Sequence, residues 1–377
     1  MTPPSGPRRF PYCVPTLVDP ASGVTLRAHT EADLGAIVEQ ARDRESQLWT
    51  TVPTPPGGYS IEDAREFALG VVPAGWVSGA ALARAIEAEL DGDRRFCGSI
   101  SLRRGENATA DVGFGLHPAA RGRSVMSAAL RLLRDYAFDV CGLEALRWRS
   151  RVGNWDSRRV AAAAGFLFDG TVRGLLMHRG QLVDAWVATI TATDPRRPVP
   201  WLDAPTLRSD RLTLRQFRDS DVPAIVEACA DPRSQHWLAS LPVPYGAGDA
   251  RSYLQAVREL SARCLGMNWC VAEARNDRCV GSISLEGFGG YSRRTEIGYW
   301  LHPEVRGRGY MTEALSLVTR YAEDHRLTDS ILIRCAATNS ASRHVAAMAG
   351  YHPVGVLPRS EPLRDGSVVD LVLYSRP

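Results

Sequence analysis

Apolar residues return every three or four positions at Met126, Ala129, Leu130, Leu133 and Ala137, and again at Met311, Ala314, Leu315, Val318 and Ala322. That step puts them on one face of a helix laid against a core, so a helix is predicted at each place, with shorter ones over 32–42 and 157–164. Elsewhere the apolar positions alternate or run together, the pattern of strands. Strands are predicted at 24–28, 83–89, 96–102, 110–116, 145–152 and 183–189. In the second half they fall at 269–273, 280–285, 296–301, 331–336 and 368–373. Strands interleaved with helices predict a mixed α/β domain built on a central sheet.

The two halves carry the same text. His117-Pro-Ala-Ala-Arg121-Gly-Arg123-Ser-Val-Met126 returns as His302-Pro-Glu-Val-Arg306-Gly-Arg308-Gly-Tyr-Met311, six identities in ten at an offset of 185. Asn154, Ser157 and Gly165 recur as Asn339, Ser342 and Gly350, and Asp111 becomes Glu296, all at the same offset. Gly98-Ser-Ile-Ser-Leu102 returns at 183, and Thr25-Leu-Arg27 with Asp33, Ile37 and Trp49 returns at 188. Small changes of offset are loop insertions, and a period this long marks a duplicated domain, not a solenoid. Four prolines between Thr193 and Pro205 forbid a regular helix there. The expected organisation is a domain over 1–192, a linker over 193–205 and a second domain over 206–377.

Composition narrows the chemistry. All 45 basic residues are Arg, so a phosphate loop ending in Gly-Lys and a Lys Schiff base are both excluded. The net charge of +3 over 377 residues gives no field that points to nucleic acid. Eight scattered cysteines contain no Cys-x-x-Cys pair, so they are read as reduced and mostly buried, with no metal site. No apolar run reaches the roughly 20 residues of a membrane span, and the Pro-rich stretch 1–10 lacks a signal-peptide core. The expectation is a cytoplasmic protein with no membrane or nucleic-acid partner.

The passage from the strand at 296–301 through Arg306-Gly-Arg-Gly-Tyr310 into the helix at Met311 aims unpaired backbone N–H groups at an anion. Asn339-Ser-Ala-Ser342 follows at the end of the next strand, ahead of a helix and Gly350-Tyr351. These residues resemble the GNAT family of acyl-CoA transferases, in particular the RimJ/RimL type that acetylates amino termini of ribosomal proteins. The family's Arg/Gln-x-x-Gly-x-Gly/Ala signature fits Arg306 to Met311, except that Met311 replaces the last small residue. The likeness covers 25–190 and 212–374. It implies two tandem α+β GNAT folds, each a mixed, mainly antiparallel sheet flanked by helices; the duplication and the short Pro-rich linker add the expectation of an internal pseudo-dimer of the two halves.

The resemblance also implies acetyl-CoA, or another acyl-CoA, as co-substrate. Its pyrophosphate would rest on the loop Arg306, Gly307, Arg308, Gly309, Tyr310 and Met311, with Asn339 and Ser342 holding the pantetheine and assisting the departing thiol. The N–H of Leu301 or its neighbour would polarise the thioester carbonyl, and Glu296 would draw the amine proton directly or through water, unless it serves only as an ion-paired or capping carboxylate. In the first half the matching set is Arg121, Gly122, Arg123, Ser124, Val125, Met126, Asn154 and Ser157. Ser124 stands there for the second glycine: it is strained if the backbone is left-handed and harmless if helical. The second half is therefore the expected main catalytic unit.

His117 and His302 are read as loop-forming, Cys335 as core, Trp49 and Trp237 as acceptor-pocket or core residues, and Asp184 and Asp370 as acceptor-orienting or capping. The function expected is acetyl transfer to the α-amine of a protein, peptide or peptide-like metabolite. Two rivals are an amino small molecule such as an aminoglycoside-like antibiotic as acceptor, and a non-catalytic CoA sensor.

Overall fold

The computed structural model describes residues 14–288 and 293–376, and the chain divides into two compact units between Val199 and Pro200. In the first unit the strands are β1 (Leu17–Val18), β2 (Thr25–Arg27), β3 (Ala81–Leu90), β4 (Asp93–Arg104), β5 (Thr109–Leu116), β6 (Ala145–Arg151), β7 (Leu167–His178) and β8 (Gln181–Thr191). Its helices are α1 (Leu34–Arg42), α2 (Arg44–Trp49), α3 (Ile61–Arg65), α4 (Val72–Ser78), α5 (Val125–Asp139) and α6 (Trp155–Ala163). The eight strands form one sheet in the order β1-β2-β3-β4-β5-β6-β8-β7, antiparallel except for the central pair β5–β6.

The second unit repeats this with β9 (Leu207–Arg208), β10 (Leu212–Arg215), β11 (Gly266–Glu273), β12 (Cys279–Glu286), β13 (Arg294–Leu301), β14 (Ser330–Ala336), β15 (His352–Pro362) and β16 (Val368–Arg376). Its helices are α7 (Val222–Ala230), α8 (Pro232–Trp237), α9 (Ala247–Ala262), α10 (Tyr310–Asp324) and α11 (Ser340–Met348). Here too only the central pair, β13–β14, is parallel. Each unit is thus a mixed, mainly antiparallel sheet with helices on both faces.

The predicted apolar stripes face inward. Met126, Ala129, Leu130, Leu133 and Ala137 on α5 are buried against the sheet, as are Met311, Ala314, Leu315, Val318 and Ala322 on α10. A second core lies under α1 and α3 in the first unit, around Ile37, Ala64 and Phe96, and under α7 and α9 in the second. The recurring Arg27–Asp33 and Arg215–Asp221 pairs brace the start of each sheet. Arg215 is nearly buried and grips both oxygens of Asp221 at 2.8 and 3.0 Å and Asp277 at 2.7 Å.

The sequence missed the β7–β8 and β15–β16 hairpin partners because β7 and β15 are exposed along most of their length and show no alternation. Seven cysteines are free thiols, six of them buried, and Cys13 lies outside the described residues with the 1–10 stretch. Among the described residues no helix is long and apolar enough to cross a membrane.

Candidate active site

The central parallel strands pair only at their beginnings. β13 and β14 are in register from Arg294 and Ser330 to Glu296 and Leu332, and β5 and β6 from Thr109 and Ala145 to Val112 and Trp148. Beyond those points they diverge, leaving backbone groups on the facing edges. Leu301 lies opposite Gly281 of β12, and the His302 N–H donates to the Val280 carbonyl at 2.8 Å. Leu301 and Gly281 therefore form a non-bonded antiparallel pair, so the Leu301 N–H points away from β12 into the gap. His117 N–H to Cys97 O at 2.8 Å places the Leu116 N–H the same way in the first unit.

At the mouth of each gap the chain turns into a 15-residue helix. The first helical bonds are Ala128 N–H to Ser124 O and Glu313 N–H to Gly309 O, both 3.1 Å. The N–H groups of 122–127 and 307–312 have no partner among the described residues. Six consecutive amides without a partner at a helix N-terminus are what an anion site requires. Gly309 has φ +76°, and Ser124 has φ +58°. Both are left-handed, which resolves the alternative left open at Ser124: the serine holds a conformation costing about 1 kcal/mol relative to glycine.

The arginines that open the two loops are tied to carboxylates and serines of a neighbouring helix. Arg306 donates to Asp231 Oδ2 at 2.7 Å and Ser234 Oγ at 2.8 Å; Arg121 likewise binds Asp43, Ser46 Oγ at 3.1 Å and Glu45 at 3.2 Å. Asp43 and Asp231 are the N-caps of α2 and α8, so each arginine straps its loop to a helix end. Arg123 pairs with Asp91 at 2.9 Å, whereas Arg308 is exposed and makes no ion pair among the described residues.

Asn339 and Asn154 are helix N-caps, their Oδ1 atoms accepting from Ser342 N–H at 3.1 Å and Ser157 N–H at 3.2 Å. The serine hydroxyls differ between units. In the first, Ser157 Oγ accepts from Trp148 Nε1 at 3.0 Å. In the second, the Tyr299 hydroxyl reaches from β13 across the gap to Ser342 Oγ at 3.0 Å and Ser342 O at 3.1 Å, with Cys335 Sγ also 3.1 Å from Ser342 Oγ. Burial raises the pKa of the Cys335 thiol and of the Tyr299 hydroxyl, so both stay protonated. The residue matching Tyr299 in the first unit is Phe114, which has no hydroxyl with which to bridge.

Glu296 is not brought to the gap. It sits where β13 and β14 are still paired, five residues or roughly 16 Å along the strand from Leu301. Arg334 Nε donates to its Oε1 at 2.6 Å, and Arg149 pairs with Asp111 in the same way. The geometry thus favours the ion-paired reading of this carboxylate over direct proton abstraction. His302 and His117 accept backbone N–H bonds at Nδ1 and meet Glu227 and Glu39 through Nε2, at 3.1 and 3.2 Å, which is a turn-holding role. Asp184 and Asp370 accept hairpin backbone N–H groups from Gly174 at 3.0 Å and Arg359 at 2.9 Å.

The first unit contains a cleft of about 940 Å³ that runs from the cradle residues Arg121 to Ser127, past Phe114 and Trp148, to Trp49, Arg103 and His178. Gly113 and Gly115 line it and carry no side chain on that face of β5, whereas Trp300 stands at the second position in the other unit. The sequence pointed to Trp49 but not to Arg103, Arg151 or His178; the Gly-x-Gly alternation in β5 was the available signal of an open face. Burial together with Arg151 and Arg179 lowers the pKa of His178.

Comparison with known proteins gives a consistent result. A family described as "Acetyltransferase (GNAT) domain" matches residues 24–167 and 211–352. YoaA, an uncharacterized N-acetyltransferase of Bacillus subtilis, is 29% identical over 171 residues, 45% of this chain and 96% of that protein. The ribosomal-protein-serine acetyltransferase of Escherichia coli is 33% identical over 103 residues, 27% of this chain and 56% of that protein. The solved structure of Mycobacterium smegmatis RimJ in complex with CoA-disulfide is 25% identical, with a TM-score of 0.41 over 48% of this chain and 87% of that one.

Proposed function

The chain belongs to the GNAT acetyltransferase family and is an acetyl-CoA-dependent N-acetyltransferase, and from that premise we propose that its first unit is the working site. Both units offer the donor half: six free amides for a pyrophosphate, and a strand N–H (Leu116 or Leu301) turned into the gap where a thioester carbonyl would lie. The second unit keeps the glycine that ranked it first on sequence. The observation that carries the proposal is the continuity of the first unit's cleft from cradle to acceptor face, against the Tyr299–Ser342 bridge across the other gap.

In the first unit the amides of 122–127 would hold the pyrophosphate, with Ser124 Oγ beside them. The Leu116 N–H would stabilise the developing oxyanion. The acceptor amine would approach over Gly113 and Gly115, deliver its proton to water, and displace CoA. An unperturbed thiol has a pKa near 8.5, so the leaving group needs only a weak proton donor. The acceptor is an α-amine of a peptide, protein or peptide-like metabolite.

Calorimetric titration with acetyl-CoA, paired with free-thiol release on adding an amine, tests the proposal. Loss of thiol release on closing the first cradle supports it, and full turnover after that change overturns it.

A further inference from the structure

The first unit's cleft is lined by five arginines (103, 121, 149, 151 and 159) against three acids, Glu45, Asp111 and Asp156. Two of those acids are already matched, Glu45 by Arg121 and Asp111 by Arg149. Arg103 makes no hydrogen bond or ion pair among the described residues, and its Nη2 lies over Gly113, 3.3 Å from where a Cβ would stand. Arg151 lies over the Trp49 ring, its guanidinium 4.6 Å from the ring centre, and has no carboxylate partner among the described residues. Asp156, in the first turn of α6, is the remaining acid.

The corresponding positions of the second unit are different. Arg103 faces Asp111 across β4–β5, and the equivalent pair across β12–β13 is Glu286 and Glu296. Arg151 corresponds to Ala336. The first acceptor face therefore carries Arg103 and Arg151 where the second carries Glu286 and Ala336.

We infer that the first unit selects an amine acceptor that bears a carboxylate, with Arg103 and Arg151 as the specificity-determining cations. The inference rests on the first unit being the working site. Gly113 precedes Leu116 by three strand residues, roughly 10 Å, so the carboxylate sits at about that distance from the amine under attack. An N-terminus with an acidic side chain two to four residues along has that reach, and so does a small amino acid whose amine and carboxylate are well separated. Charge in a partly enclosed cleft acts on encounter and on binding more than on the chemical step.

The test uses the full chain with acetyl-CoA and thiol release as the readout. Acceptors are matched peptides carrying Glu or Gln at positions two to four, and short amino-carboxylates beside their amides; the two sets separate a peptide from a metabolite. The expected result is a kcat/KM at least tenfold higher for the carboxylate member of a pair, falling as salt is raised. Arg103→Gln should raise KM for that member about tenfold, leave kcat within twofold, and leave the neutral member and acetyl-CoA binding unchanged. Arg103→Glu should reverse the preference. Equal rates on both members, in a chain whose turnover is lost when the first cradle is closed, would overturn the acceptor assignment alone. Turnover that survives that closure would overturn the site reading and this inference with it.

Discussion

Arg121 looks like a phosphate ligand in the sequence and like a strap in the structure, and the two roles predict opposite signs for one substitution. Its side chain is 32% exposed and binds Asp43, whose side chain is 21% exposed, together with Ser46 and Glu45. If the strap holds the loop so that the amides of 122–127 converge, losing either partner loosens the cradle. A half-exposed pair of this kind contributes about 1 kcal/mol through its geometry, so Asp43→Ala should weaken acetyl-CoA binding by roughly five- to tenfold. If Arg121 instead turned to the phosphate, removing Asp43 would free it and tighten binding. The assay is calorimetry in a Thr312→Asp background, so that only the first cradle is read. Arg121→Ala and Asp43→Ala should each weaken binding, and the double variant should be no worse than the poorer single one, because both remove one contact. Tighter binding by Asp43→Ala, or additive losses, would refute the strap.

Asp221→Ala leaves Arg215 buried with two of its three carboxylate bonds gone, and should cost the second unit about 3–5 kcal/mol in denaturant unfolding. Gly309→Val forces a β-branched residue to φ +76°; its Cβ meets only Arg211 Nη2 at 3.7 Å, so the loss of about 2 kcal/mol comes from the backbone, and Gly309→Ser should cost less. His29 is buried beside Phe67 and Phe96 with Nε2 on Ser99 Oγ, and burial pushes its pKa down to about 4 from 6.5. The unfolded chain takes up that proton first, so stability is full above pH 6.5, falls as pH drops towards 4 and loses about 3 kcal/mol in all. Thermal unfolding of the parent against His29→Gln across this window should show the slope disappear in the variant.

What the sequence made legible follows from local pattern. The α5 and α10 stripes, the central strands and the duplication could be read because each buries one face at a fixed period. The Asn-x-x-Ser motif was legible as a position but not as a contact: the asparagine proves to be a helix cap, and the serine's partner, Trp148 or Tyr299, lies on a different element. The Arg121 strap was out of reach because Asp43 is 78 residues away. Glu296 was singled out for its residue type, and only the strand register shows that it sits at the paired end of the gap with Arg334 on it. Glycine spacing favoured the second unit, whereas the lining of the first unit's cleft includes Phe114 and Gly115, where the second unit has Tyr299 and Trp300, and the directions of such side chains need the sheet.

The most direct measurement is acetyl transfer by two single variants with the same acceptor. Ser127→Asp and Thr312→Asp each place a carboxylate in the first turn of the cradle helix, where it favours the helix dipole and keeps the fold while repelling a pyrophosphate. Ser127→Asp should lower kcat/KM at least a hundredfold, about 2.7 kcal/mol, and Thr312→Asp should leave more than half of it. A dead Thr312→Asp beside an active Ser127→Asp would place the working site in the second unit and contradict the account.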